Sequence, residues 1–203
     1  MSLQDISIMN SRNSKTYSMV LTAMLLAVGL ILPFITGNIQ AIAKIISPLH
    51  IPVLICGLCC GWKWGLGLGM ILPLFRSLLF SIPVFPTSAL PMVFELGTYG
   101  LLTGLFYELL LHKSEGGEKS HLPKIFLSLI SAMIIGRFAG GGAKALLLSL
   151  GIIGTNSPFT FSAFLTSHFI STAPGALIHI ILIPLVVMAL EKAKHSPMLM
   201  HRQ

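Results

Sequence analysis

The sequence predicts an all-α integral membrane protein with six transmembrane helices and both termini in the cytoplasm. Three observations lead to this fold class: the composition, the length of the apolar runs and the distribution of positive charge. Of the 203 residues, 54% are hydrophobic and 9% are charged, and the mean hydropathy is +0.88. A soluble domain carries about 25% charged residues, so the chain is expected to lie in a lipid bilayer.

The first three helices are predicted from apolar runs of a length that can cross a membrane, which is about 20 residues. The first run covers 17–35, and the stretch after it, which contains Lys44, is expected to be an ordered loop or a short surface helix. A short second helix is predicted at 49–61. The third helix is predicted at 65–80, with a break or bend at Pro73 because proline removes a backbone donor.

Three further helices follow from the second half of the chain. They are predicted at 89–111, 125–150 and 163–190, and the segment between the first two of these is the one clearly hydrophilic loop. These boundaries give a single membrane domain at 17–190, with a cytoplasmic tail at 1–16 and another at 191–203.

Positive charge sets the orientation, because cytoplasmic loops carry an excess of Lys and Arg. An even number of helices places both termini on one side, and that side also receives the loops after the second and fourth helices. The cations on that side are Arg12, Lys15, Lys63, Lys113, Lys119, Lys124, Lys192, Lys194 and Arg202. The opposite loops hold only Lys44, so the termini are predicted to be cytoplasmic.

Several classes of function are excluded by what the sequence lacks. There is no GxxxxGK[ST] loop for ATP hydrolysis, no HExxH and no GxSxG. Cys56, Cys59 and Cys60 are predicted to be small buried hydrophobic residues rather than metal ligands, since no His or acidic residue is close in sequence. The absence of these motifs predicts no enzyme, no metal site and no cofactor. No nucleic-acid partner is predicted either, because the net charge of +7 is explained by the positive-inside rule.

Ionisable residues at membrane depth are the main indication of function, because they are costly there and seldom face lipid. Counting along the predicted helices places six of them in the outer half of the membrane: His50, Arg76, Glu95, Arg137, Lys144 and His168. Arg137, Gly140, Gly141 and Lys144 follow an i, i+3, i+4, i+7 pattern, so they share one helical face. The glycines on this face are expected to leave two cations beside a hollow.

These residues have two interpretations. In the first, they line a polar pocket that opens to the outside and binds a small hydrophilic or anionic molecule. In the second, Arg76 and Glu95 pair only to make their burial tolerable, and Lys144 extends to the interface. The first is preferred because the second leaves Arg137 unexplained. His50 and His168 carry less weight, since a histidine near a helix start is commonly a satisfied polar residue.

Small residues at a spacing of four suggest where helices approach closely. The pairs Gly65/Gly69, Gly100/Gly104 and Gly136/Gly140 are predicted to serve packing within the molecule. Ala23 and Ala27 differ, because their helix has no charged or strongly polar residue between Val20 and Pro33. That helix is therefore a candidate docking surface for another membrane protein.

At this point the sequence resembles a known family, the substrate-binding (S) components of energy-coupling factor (ECF) vitamin transporters. The resemblance lies in the six-helix layout, the small size, Ala23 and Ala27, and the segments SPLHIPVLICGLCCGWKWGLGLGMILPLFRSLLF and ELGTYGLLTGLFYELL. It implies a multi-pass protein of the bacterial cytoplasmic membrane that works with a transmembrane coupling (T) component and a pair of cytoplasmic ATPases.

The resemblance also implies roles for particular residues. Ala23 and Ala27 match the small residues of the first helix that contact the T component in the family. A vitamin or cofactor precursor would bind near the outer face, under the loops at 37–48, 81–88 and 151–162, and toppling of the protein in the membrane would deliver it inward.

The substrate is predicted from the balance of charge. Arg76, Arg137 and Lys144 against Glu95 leave two excess positive charges, which favours a carboxylate or phosphate on the ligand and suggests a pantothenate-like precursor. An uncharged purine-like or pyridine-like precursor, hydrogen-bonded by Glu95 and Asn156, is the alternative substrate. The alternative functions are a facilitator that needs no ATPase and a membrane assembly factor that binds no small molecule.

Overall fold

A computed structural model describes residues 3–35, 47–113, 121–154 and 160–192 of the chain. These residues form seven α-helices and one π-helical turn, and no strand occurs among them. The helices are α1 (Leu3–Ile35), α2 (His50–Cys60), α3 (Trp62–Phe80), α4 (Ala89–Lys113), α5 (Leu122–Ser149), α6 (Phe161–Leu165) and α7 (Ala173–Lys192), and the π turn at Thr166–Ile170 lies between the last two.

The all-helical prediction is confirmed for the described residues, and five helices contain stretches long and apolar enough to cross a membrane. These stretches lie in α1, α3, α4, α5 and α7. The remaining helix, α2, has 11 residues and is about 16 Å long at 1.5 Å per residue, against about 30 Å of hydrocarbon. Six full spans therefore remain a prediction. The cytoplasmic position of both termini also remains a prediction.

Two details of the predicted helices are wrong. Of the break or bend predicted at Pro73, the break is wrong, since α3 runs continuously from Trp62 to Phe80, and the bend stays a prediction. The predicted last helix at 163–190 is instead divided into α6, the π turn and α7, which begins only at Ala173. The stretch around Lys44, predicted to be an ordered loop or a short surface helix, lies outside the described residues apart from its last two positions.

The short helix α2 lies at the centre of the bundle. Every residue from 52 to 59 is buried, and α2 packs against α1, α3, α4 and α7. A helix that is hydrophobic on all sides is expected in such a position, and the two cysteines Cys56 and Cys59 are fully buried in it. As a result, the first residue of α2, His50, lies inside the protein.

A tight turn at Gly61 joins α2 to α3 as a pair of antiparallel helices. Gly61 has φ 93°, a backbone conformation that favours glycine. Beyond the turn, Gly57 faces Gly65 so closely that a Cβ at Gly65 would lie 2.8 Å from the Cα of Gly57. Both helices start from one turn, but α3 has 19 residues and is about 12 Å longer than α2. Because the two helices run side by side from this turn, the end of α2 at His50 lies about 12 Å short of the end of α3 at Phe80.

Glycines also bring α3 and α4 into backbone contact. A Cβ at Gly65 would clash with the carbonyl oxygen of Gly100, and one at Gly69 would clash with that of Leu96. Gly104 in turn approaches the backbone of Trp62. The prediction that these spaced glycines serve packing within the molecule is confirmed.

The helix α1 lies at the edge of the bundle and is buried along a single stripe. Ser18, Leu25, Gly29 and Pro33 are buried along that stripe, at a spacing that repeats every three to four residues. Its other side is covered by no described residue, and Ala23 and Ala27 lie on this exposed side. From Met19 to the end of α1, the other exposed residues are large and apolar: Met19, Val20, Met24, Val28, Ile31 and Phe34.

Candidate functional site

The centre of the candidate site is Glu95, a carboxylate that lies between α4 and α2. The hydroxyl of Tyr99, one turn further along α4, donates a hydrogen bond of 3.0 Å to Glu95 Oε1. His50 Nε2 lies 3.6 Å from the same oxygen. The other ring nitrogen of His50, Nδ1, donates to the carbonyl of Ser47 at 3.1 Å, which fixes the orientation of the ring. Polar groups from two helices thus converge on one carboxylate.

A second histidine, His179 of α7, extends this group. Its ring stacks against that of His50 with centroids 5.7 Å apart and an interplanar angle of 20°. The His50 ring also lies 5.1 Å from the ring of Tyr99. His179 is 2% exposed, so the polar group reaches the part of the bundle where α2 and α7 meet.

Arg137 of α5 supplies a cation close to Tyr99. Its guanidinium lies beside the Tyr99 hydroxyl and donates through Nη2 to the carbonyl of Thr172 at 3.4 Å. It also lies over the ring of Phe169, 5.6 Å from the centroid. A cation over an aromatic face gains about 0.5–2 kcal/mol, most where water is excluded. Tyr99 therefore lies close to both a carboxylate and a guanidinium.

Three phenylalanines form an aromatic wall next to Arg137, and the π turn helps to build it. Phe138 of α5 packs against Phe164 and Phe169, with ring centroids 5.9 and 5.3 Å away. Phe164 and Phe169 meet edge to face at 5.8 Å. Ser171 N donates to Thr166 O at 2.9 Å, an i to i+5 bond that inserts one extra residue into the turn. Such π turns occur frequently at functional sites.

The glycines of α5 do not leave a hollow beside the cations, so that expectation is wrong. A Cβ at Gly136 would clash with the ring of Tyr99, and one at Gly140 would lie 2.7 Å from the Cβ of Glu95. A Cβ at Gly141 would clash with the ring of Phe164. Side chains of the site fill the space beside these glycines. Tyr99 and Glu95 of α4 can pack this closely against α5 because Gly136 and Gly140 have no side chains.

Arg76 lies outside this group. Gly65 of α3 and Gly100 of α4 are in contact, so they mark one level in the antiparallel pair. Arg76 follows Gly65 by 11 residues, and Glu95 precedes Gly100 by 5. At 1.5 Å per residue, Arg76 is about 9 Å closer than Glu95 to the end of the bundle where α4 begins. Its described contacts are with α1 and with the end of α3.

The remaining predicted residues are placed only in part. Lys144 is half-buried and lies two turns beyond Arg137 on α5. His168 belongs to the π turn, but its side chain is outside the described part of the chain, and so is the whole of Asn156. Among the described residues, the structure brings together His50, Glu95 and Arg137 from the predicted set.

Sequence reasoning missed Tyr99 and misplaced His179. Tyr99 follows Glu95 by four residues, a spacing at which side chains on a helix meet, and this signal could have identified it. A single helix that begins at residue 163 would place His179 in the inner half of the membrane. Counted from the true start of α7 at Ala173, it lies six residues in, as Glu95 does in α4.

The arrangement suits recognition of a small polar molecule. Glu95 accepts hydrogen bonds, Arg137 donates them in the planar fork that fits carboxylates and phosphates, and the aromatic wall offers a flat apolar surface. No group of three or more His, Cys, Asp or Glu side chains that could hold a metal ion occurs in the described ranges.

Membrane-length helices around a partly buried group of His, Glu, Tyr and Arg side chains define an integral membrane protein with a polar site in its bundle. The sequence profile of the family described as "ECF transporter, substrate-specific component" matches residues 17–193, and the chain belongs to this family. Members of this family are substrate-binding subunits of transporters rather than enzymes. Comparison with curated proteins gave no significant match, and neither did comparison with solved structures.

Proposed function

We propose that this protein is the S component of an ECF importer that captures a vitamin or cofactor precursor at the outer face of the cell membrane. The substrate binds at Glu95, Tyr99 and Arg137 and is delivered inward with a T component and two ATPases. The observation that carries the proposal is the convergence of His50, Glu95, Tyr99 and Arg137 within the bundle of a member of this family.

The substrate class follows from the charges at the site. Arg76 does not contribute to it, so the excess of cations over Glu95 is smaller than the sequence suggested and depends on Arg137 and Lys144. We expect one substrate carboxylate or phosphate at Arg137, hydrogen-bond donors at Glu95, and an apolar portion against the wall of Phe164 and Phe169. A pantothenate-like molecule has this combination, because its hydroxyl and amide donors lie along a chain that ends in a carboxylate.

The exposed side of α1 is proposed to dock the T component. Helices in lipid associate through close packing rather than through a hydrophobic driving force, and Ala23 and Ala27 allow such an approach. Both alanines are exposed, and Met24, between them, is 61% exposed. This side of α1 is therefore available to a partner.

Mass spectrometry of small molecules released from the detergent-purified protein tests the substrate class. We expect a stoichiometric acidic vitamin or precursor. A neutral ligand would contradict the charge argument while keeping the S-component assignment. If the identified ligand crossed the membrane without any ATPase, the protein would be a facilitator.

Arg137→Ala tests the site itself. Loss of a charge-assisted hydrogen bond costs about 1.5–3 kcal/mol, so we expect the affinity for the ligand identified by mass spectrometry to fall by roughly 10-fold to 100-fold. The matched control is Lys63→Ala, which removes an exposed cation beside Trp62 at the start of α3. Unchanged affinity in Arg137→Ala, with normal membrane insertion, would refute this site.

A further inference from the structure

Arg76 connects α1 to α3 by a set of contacts that the substrate site does not use. Its Nη1 donates to the carbonyl oxygen of Leu30 in α1 at 2.9 Å. The guanidinium also lies over two rings, 5.5 Å from the centroid of Phe34 in α1 and 5.6 Å from that of Phe80 in α3. The two rings meet edge to face at 4.9 Å. Arg76 is 2% exposed, so this cation is enclosed by groups of both helices.

Two further contacts of α1 lie before Leu30, further from the end of the helix at Ile35. Thr22 contacts Cys56 of α2 at 3.4 Å through its hydroxyl. Gly29 packs against Leu72 and Pro52, where a Cβ would lie 2.8 Å and 3.1 Å from the nearest atoms. The contacts at Leu30 and Phe34 belong to the last turns of α1, so Arg76 contacts the end of the helix.

An arginine is suited to this task because of the surrounding lipid. An apolar contact between two membrane helices can be exchanged for a contact with lipid at little cost. A buried guanidinium cannot be exchanged in this way, because moving α1 away would remove its carbonyl acceptor and one of its two aromatic faces. The cation therefore resists a displacement that apolar packing alone would permit.

We propose that Arg76 is a positioning residue that fastens the end of α1 to α3 and thereby sets the tilt of the side of α1 that bears Ala23 and Ala27. The role of that side in docking rests on the proposed function, whereas the fastening itself does not. Arg76 acts on the partner surface through α1 and does not contact the substrate.

Distance measurement between spin labels tests the fastening. One label replaces Ile31 of α1, and the other replaces Leu146 of α5; these positions are 58% and 59% exposed. The background is Cys60→Ser, since Cys56 and Cys59 are fully buried. The protein is measured in lipid nanodiscs by pulsed electron paramagnetic resonance, without substrate or partner.

In Arg76→Met we expect the distribution of distances to become at least twice as wide as in the parent, because the long apolar stem remains while the cation is lost. Arg76→Lys should restore the narrow distribution, since lysine keeps a charge, a donor and a cation–π partner. The matched control is Phe75→Met, a substitution at a neighbouring lipid-facing position that is 49% exposed, and it should leave the width unchanged.

An unchanged width in folded Arg76→Met would overturn the proposal, and so would a width in Arg76→Lys as large as in Arg76→Met. If Arg76→Met does not fold, Phe34→Leu decides in its place, because it removes the ring that α1 contributes; an unchanged width would again overturn the proposal. Because no substrate or partner is present, failure here leaves the S-component assignment intact. Conversely, the absence of ligand binding or ATPase-driven uptake would refute the proposed function without affecting the fastening.

Discussion

A single hydroxyl, that of Tyr99, lies between the two charged groups of the site. It donates to Glu95 at 3.0 Å and lies beside Arg137. Its ring fills the space over Gly136. Tyr99 thus has two separable roles, since the ring packs α4 against α5 while the hydroxyl orients the carboxylate.

Tyr99→Phe separates these roles because it keeps the ring and removes the hydroxyl. Hydrogen bonds to charged groups contribute about 1.5–3 kcal/mol, so we expect the substrate affinity to fall by roughly tenfold or more. Calorimetric titration with the ligand released from the purified protein measures the change.

The control for this prediction is Tyr107→Phe, two turns further along the same helix. Tyr107 is also fully buried, and its hydroxyl lies 3.4 Å from His121 Nδ1, away from Glu95. We expect Tyr107→Phe to lower the melting temperature while leaving the affinity unchanged. Equal losses of affinity in the two variants would mean that Tyr99 acts only through stability.

The sequence allowed the candidate ionisable residues to be identified but not their partners. Glu95, Arg137 and His50 were selected because charges and polar groups at membrane depth are costly, and this reasoning needs no coordinates. Whether Arg76 can reach Glu95 depends on the relative heights of α3 and α4, which the contact of Gly65 with Gly100 sets. The hydrophobic periodicity of a single helix does not reveal its height relative to a neighbouring helix.

At the scale of helices, glycines determine which backbones touch. Gly65 and Gly67 lie two residues apart on α3, but only Gly65 faces α4. A Cβ at Gly65 would clash with the carbonyl of Gly100, whereas a Cβ at Gly67 would meet nothing within 4 Å. The two positions form a matched pair for testing the crossing.

We expect Gly65→Ala to destabilise the protein strongly, because the obstacle is backbone and cannot change rotamer. Overpacking costs about 1–3 kcal/mol and occasionally more. Gly67→Ala should be neutral or stabilising by up to about 1 kcal/mol, since alanine favours the helix. Melting temperatures of the purified variants in detergent measure both effects. A loss in Gly67→Ala as large as that in Gly65→Ala would contradict the crossing.

The positions of the helices could largely be predicted from the sequence, because apolar runs of spanning length are a strong signal. The division of the last predicted helix could not be. The run at 163–190 is apolar enough to read as one helix, although Pro174 and Pro184 lie within it. The π turn lies where Phe164 and Phe169 pack against Phe138 of α5, a contact between helices that the local sequence does not reveal.

At the scale of the whole molecule, the site and the exposed side of α1 occupy different parts of the bundle. The site is formed by α2, α4, α5 and α7 together with the π turn. The stripe of α1 that includes Ser18 and Leu25 faces the bundle, and the side with Ala23 and Ala27 faces away. A partner could therefore bind α1 without displacing a ligand at Glu95 or Arg137.

Ala23→Trp tests whether uptake and substrate binding can be separated in this way. The indole would project from the exposed side of α1 and prevent the close approach that small residues permit. We expect uptake of the identified ligand into cells that contain the T component and both ATPases to fall to background, while binding to the purified variant stays within about twofold of the parent, a difference of about 0.4 kcal/mol.

The control is Leu127→Trp, at a position of α5 that is 57% exposed and away from α1, and it should leave uptake intact. Normal uptake in Ala23→Trp would assign docking to another surface. Loss of binding in the same variant would instead show that α1 and the site are coupled through α2, which packs against both α1 and the helices of the site.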